Sequence, residues 1–165
     1  MFGIDIKDSK RPFVSAVYAY PKDENAVING KNERVPLRLI PQQNGDYEVE
    51  KITAYGNIGF GVTSYDKQDL APNNNGVSNI QTFFNGNKSL EIDFKRFSFD
   101  ETKHIKRLID YEYFKTKKSR IQKLFIEENL DSISGSIEIR TLNKKKTDHL
   151  RVFESRSHSN VEFQK

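Results

Sequence analysis

The chain contains no cysteine among its 165 residues. Without thiols there is no disulfide framework, no thiolate nucleophile and no zinc–thiolate site. No stretch approaches the roughly 18 consecutive apolar residues that a membrane span needs. The N-terminus lacks a basic region followed by an apolar run, so no signal peptide is expected. The expected location is therefore intracellular (cytoplasmic), or within a virion, with no membrane partner.

Chemistry-bearing motifs are equally scarce. The histidines His104, His149 and His158 are scattered, and no pair has metal-ligand spacing. Asp66 and Asp69 do not form an EF-hand loop. Gly59-Phe60-Gly61 is a Gly-x-Gly, but no helix start with Lys-Ser/Thr follows, so it is not a phosphate-binding loop. No G-x-S-x-G elbow occurs. A metal-dependent nuclease built on Asp46, Glu48, Glu50 and Lys51 is weighed as a minor alternative and disfavoured. On one strand the three carboxylates share a face while Lys51 points away. No catalytic residue, metal or cofactor is expected.

What the chain does have is bulk and turn chemistry. Apolar residues make up 35%, with 12 Phe and 7 Tyr, and mean hydropathy is −0.74. These values suit one domain with a thin core rich in rings. Residues 1–154 are read as that domain and residues 155–165 as a polar C-terminal tail. Alternation of apolar and polar side chains marks strands near 2–7 and 35–39. Residues 13–20, β-rich and apolar on both faces, suit a central strand stopped by Pro21. Strands at 46–55 and 58–65 are separated at Gly56-Asn57. Pro36 makes the 35–39 strand an edge strand. Asn-Gly pairs at 29–30, 44–45, 75–76 and 85–86 tolerate the positive φ of tight turns, and their spacing suggests an antiparallel meander. A hairpin is expected from Ile80–Phe84 and Ser89–Phe99, with a bulge at Lys95-Arg96. The polar segment Asp66–Asn79 reads as a long loop.

The stretch from Asp100 to Leu130 organises the rest. Ile105, Leu108 and Ile109 repeat at i, i+3, i+4, as do Ile121, Leu124 and Phe125, but the two stripes are out of phase. Two helices are therefore expected, near 101–114 and 120–129, broken at Lys115–Ser119. Asp100 or a Ser98/Glu101 box would cap the first, and Ser119 with Gln122 the second. A competing reading makes Ile109–Tyr113 a strand. A final hairpin would pair Ile133, Ile137 and Ile139 with Leu150 and Val152 across a turn at 143–148. The expected fold is thus α+β. A mainly antiparallel sheet, as a sandwich or open barrel, carries two helices near 101–129 before a C-terminal β-hairpin.

Charge is segregated. Residues 1–99 carry 12 basic and 12 acidic side chains, while residues 100–165 carry 15 and 11, supplying the whole net +4. Lys103, Lys106, Arg107, Lys115, Lys117, Lys118, Arg120 and Lys123 lie beside Tyr111, Tyr113 and Phe114, and Lys144, Lys145 and Lys146 form a second patch. The role expected from this basic, aromatic face is docking. The chain would be a non-enzymatic assembly or adaptor subunit, from a phage or similar mobile element, bound to a protein partner or to copies of itself. The alternative is a nucleic-acid-binding module using the same cations.

Overall fold

A computed structural model describes residues 11–67, 69, 73–84, 87–93, 106–127, 138–139, 149–155 and 158–164, with backbone alone for Phe84 and for residues beyond 127. The strands are β1 (Phe13–Pro21), β2 (Val27–Ile28), β3 (Val35–Leu37), β4 (Leu39–Pro41), β5 (Tyr47–Val49), β6 (Ala54–Tyr55), β7 (Ile58–Tyr65), β8 (Asn79–Phe84) and β9 (Asn87–Asp93). A 3-10 turn (Lys106–Leu108) and helix α1 (Tyr111–Lys117) follow, then β10 (Gln122–Lys123), β11 (Glu138–Ile139), β12 (His149–Ser155) and β13 (His158–Gln164). One sheet has the order β10-β7-β1-β3, a second the order β11-β9-β8-β13-β12-β5-β4, and β2 pairs with β6 in a small ribbon. Every pairing is antiparallel except β13 with β8.

Alternation along β1 sets the layers. Val14, Val17 and Ala19 face inward, opposite Ser64, Val62 and Phe60 of β7. Val14 and Val17 keep the same face despite odd spacing, because a bulge between Val14 and Ala16 absorbs the extra residue. The inward residues join Ile80, Leu90 and Ile92 of the second sheet in one buried cluster. The chain passes between the sheets at Arg38, since β3 is an edge of the first and β4 an edge of the second. Pro36, which cannot donate to a ladder, stands on that edge strand as its sequence requires.

The outer face of the first sheet explains Gly59 and Gly61. A Cβ on Gly61 would fall 2.7 Å from Ile121 Cγ2 and 2.9 Å from the Tyr20 ring, and one on Gly59 would overlap the Phe125 ring. The Gly-x-Gly therefore lets residues 121–125 lie on the sheet.

Turn chemistry is borne out at two sites. Asn29 and Gly30 have φ of 49° and 82°, closing the Ile28–Lys31 bridge. Gly45, at φ 89°, turns β4 into β5. In the β8–β9 hairpin the irregularity falls between Thr82 and Phe83, and Lys95-Arg96 lie outside the described residues, as does the segment 2–7.

The two-helix expectation is corrected. One α-helix is present among the described residues, Tyr111–Lys117, and no helix follows within 120–127: Gln122 and Lys123 are a strand paired to Val62 and Gly61, and Leu124–Phe125 form a bend. The i, i+3, i+4 spacing of Ile121, Leu124 and Phe125 arises instead from an edge strand followed by a bend. Ile121 and Leu124 are buried there without a helix, because β10 finds β7 as a hydrogen-bonding partner. The strand alternative for Ile109–Tyr113 also fails, since the helix begins at Tyr111. The break expected at Lys115–Ser119 is met only at its end, since Lys115–Lys117 are helical: the helix stops at Lys118, which adopts φ 58° and whose N–H donates to the Phe114 carbonyl.

The C-terminal pairing differs too. Glu138–Ile139 pair with β9, whereas β12 pairs with β13 and β5. Residues His158–Gln164, within the segment read as a polar tail, form a strand between β8 and β12. Period-two alternation identifies a strand but carries no information about its partner.

Candidate interaction face

Residues 110–121 form a helical excursion from the edge of the first sheet. Its base is closed by the Ile109–Gln122 bridge and by the Asp110 N–H donating to the Ile121 carbonyl at 3.0 Å. Leu108 and Ile121, at 1% and 0% exposure, bury both ends. The Gln122 side chain donates to the Leu108 carbonyl at 2.8 Å. In contrast, α1 has no buried residue. A seven-residue helix is too short to be stable alone, so its ends and its contacts hold it.

Asp110 is the main anchor. Its Oδ1 accepts from the Tyr113 N–H at 2.9 Å, capping the helix start. Its Oδ2 accepts from the Tyr20 hydroxyl at 2.8 Å and forms an ion pair with Arg34. Burial alone would raise the Asp110 pKa. The hydrogen bonds from Tyr113, Tyr20 and Arg34, with the Arg34 charge, outweigh it and hold the carboxyl below its ordinary value. Burial and the bond to Asp110 push the Tyr20 hydroxyl upward. Burial opposes the charge on Arg34, but Asp110 and Tyr20 outweigh it, so its pKa is raised.

Arg34 is also enclosed by rings. Its guanidinium carbon lies 4.8 Å from the Tyr113 centroid and 5.9 Å from those of Tyr18 and Tyr20. The Tyr18 and Tyr113 hydroxyls share a 3.0 Å hydrogen bond, with ring centroids 5.6 Å apart. Burial, then the hydrogen bond to Tyr113, pushes the Tyr18 pKa up to about 12. Phe125 stacks on Tyr20 at 5.6 Å and carries Lys22 over its ring at the same distance. The underside of the excursion is thus a lattice of rings closed around one arginine.

The other side faces water. Lys106, Arg107, Lys115, Lys117, Lys118 and Arg120 are exposed and pair with no described carboxylate. Tyr111, 61% exposed, lies among them. Phe114 is half-buried between Tyr111, at 6.4 Å, and the Arg120 guanidinium, at 5.5 Å. Lys123 separates from the group: it is half-buried and paired with Glu127. Tyr113 also turns inward, onto Tyr18. Lys103, Lys144, Lys145 and Lys146 lie outside the described residues.

Sequence reasoning missed Arg34, Tyr18 and Tyr20, which reach Asp110 only through folding. It missed Asp110 as well, which falls inside the helix expected over 101–114; the preference of aspartate for the N-cap is the signal that could have found it. Asp100 and Ser98 lie outside the described residues, and Gln122 is committed to a strand and to the Leu108 carbonyl rather than a capping box. The carboxylates weighed for metal chemistry have local partners. Asp46 accepts from Asn44, Glu48 from Gln42, and Glu50 from the Arg38 N–H. Among the described residues no group of three or more His, Asp or Glu is placed to hold a metal ion, and no helix is long and apolar enough to cross a membrane. No protein-family model, curated protein or solved structure matches this chain.

Proposed function

We propose that this chain is a docking subunit, an assembly or adaptor component without catalytic activity, which offers the α1 excursion to an acidic surface on a protein partner. One observation supports this most: a short helix with no buried residue of its own is held by a buried carboxylate, an arginine and three tyrosines. The fixed underside orders an outer face of exposed cations around Tyr111. An exposed tyrosine ringed by arginine and lysine has the composition of an interface centre with a charged rim. Opposite charge on the partner would speed encounter and set orientation.

The test uses fluorescence anisotropy with two probes, a labelled Asp/Glu-rich peptide and a labelled oligonucleotide. Both are titrated with the full chain from about 50 to about 200 mM salt, where phosphate contacts reveal themselves. The expected result is peptide binding that is lost when Lys117, Lys118 and Arg120 are together replaced by Glu, with unchanged thermal stability. Exclusive, steeply salt-dependent oligonucleotide binding, lost in the same variant, would replace this reading with nucleic-acid binding. No binding of either probe at the low-salt end rejects the docking role.

A further inference from the structure

A second feature lies on the first sheet, away from the excursion. Phe13 and Tyr65 are cross-strand partners at the far end of β1 and β7, with ring centroids 5.1 Å apart. The bulge between Val14 and Ala16 shifts the alternation by one, so the two rings share the outer face with Tyr18 and Tyr20, five and seven residues along the strand. Phe13 is braced edge-on by Tyr47, at 6.3 Å and 83°, yet remains 43% exposed. Together with Arg11 and Lys67 the two rings line a cleft of about 400 Å³. Lys67 Nζ stands 5.9 Å from the Tyr65 centroid, and an Arg11 guanidinium nitrogen lies against Gly45 in the β4–β5 turn. Neither cation has an ion-pair partner among the described residues.

We propose that this cleft binds a nucleotide, its base on the Phe13–Tyr65 rings and its phosphate between Arg11 and Lys67. Each part follows from chemistry. An exposed phenyl ring offers its π-face to any planar base, and such stacking is sequence-tolerant. Guanidinium and ammonium groups both bind phosphate, the first through its planar fork of donors and the second as a point charge. The cleft is open and shallow, so base and phosphate would lie along its surface against the rings and the two cations. This site is separate from the α1 face, so the inference goes beyond the docking role and stands or falls independently of it.

The test is a magnetic-resonance titration of the full chain with AMP, adenosine, inorganic phosphate and phenyl phosphate. AMP should shift the Phe13 and Tyr65 ring signals and bind at least about tenfold more tightly than adenosine or phosphate, since ring and phosphate act together. Lys67→Ala and Arg11→Ala should each weaken AMP about tenfold. Phe13→Leu, which keeps apolar bulk but removes the ring, should do the same. The Lys117/Lys118/Arg120 triple-Glu variant should leave AMP affinity unchanged. Tighter binding of an oligodeoxyadenylate than of AMP would place the bound nucleotide in a single strand; equal or weaker binding would make it a free one. Equal affinity for phosphate and AMP, stronger affinity for phenyl phosphate, or AMP binding indifferent to Lys67→Ala and Arg11→Ala would overturn the proposal.

Discussion

The Tyr20 hydroxyl donates to Asp110 Oδ2 at 2.8 Å across 90 residues of sequence. That bond ties the centre of the first sheet to the N-cap of the one α-helix among the described residues. Arg34 reaches the same oxygen, so a single carboxylate joins a strand, a loop and a helix start.

Removing that carboxylate should therefore cost more than a helix cap. Asp110 is 8% exposed in its side chain, and its loss leaves Arg34 charged among three rings. Arg34 is 32% exposed, so water partly screens the charge left behind, and the cost should be about 1–3 kcal/mol. Asp110→Ala should lower unfolding free energy by that amount in urea titrations. In Asp110→Ala/Arg34→Met the loss should be smaller than in Asp110→Ala alone, because no unpaired charge remains. Equal losses would mean the ion pair is not the anchor.

Acid should act on the same group and on a second. Asp110 has a folded pKa below its ordinary 3.8, so its contribution is full above that pH and fades as pH falls below it. Glu91 drops from 4.5 to about 2, chiefly through the Lys88 hydrogen bond, against burial and with help from Asn79 and Gln81. Its contribution is full above 4.5 and lost on the way down to about 2. Denaturation series across this range should show stability falling as pH drops. Asp110→Asn and Glu91→Gln should each be less stable than the parent near neutrality and show a flatter acid limb.

The alkaline limb should report the tyrosines. Tyr18 rises from 10.0 to about 12, and Tyr20 is raised as well, burial being the largest cause for each. A folded pKa above the unfolded one means stability is full below pH 10.0 and declines as pH rises through the folded value. Tyrosinate absorbance should show Tyr18 and Tyr20 titrating late among the seven tyrosines, until unfolding releases them. Tyr20→Phe should remove one late proton. Titration of all seven as one ordinary group in the folded state would contradict the closed ring lattice.

Gly61 should resist even the smallest side chain. Its added Cβ would meet Ile121 at 2.7 Å and Tyr20 at 2.9 Å, and the Gln122 carbonyl at 3.3 Å. Overpacking of this kind costs about 1–3 kcal/mol. Gly61→Ala should lose that much stability and loosen the excursion, seen as faster amide exchange at Asp110 and Gln122. Gly30→Ala is a useful contrast, since nothing lies within 4 Å of its Cβ and only its φ of 82° is at stake.

Local chemistry in the sequence determined the sheet-rich class, the strands at 13–21 and 58–65, the edge position of Pro36, and the turns at Asn29-Gly30 and Asn44-Gly45. Each of these depends on φ, a missing N–H or a period of two, all properties of a few adjacent residues. It also determined that the chain breaks before Ser119, and that cations crowd beside Tyr111. Tertiary structure alone decided what pairs with what. Residues 121–125 carry helical spacing but become a short strand and a bend, because the free edge of β7 supplies backbone partners and Gly59 and Gly61 leave room for Ile121 and Phe125. Arg34, which nothing in its local sequence singles out, becomes the centre of three tyrosines because β1 and the α1 excursion converge on it. The strand at 158–164 finds β8 in parallel, a long-range choice that alternation leaves open because it names a face and never a neighbour.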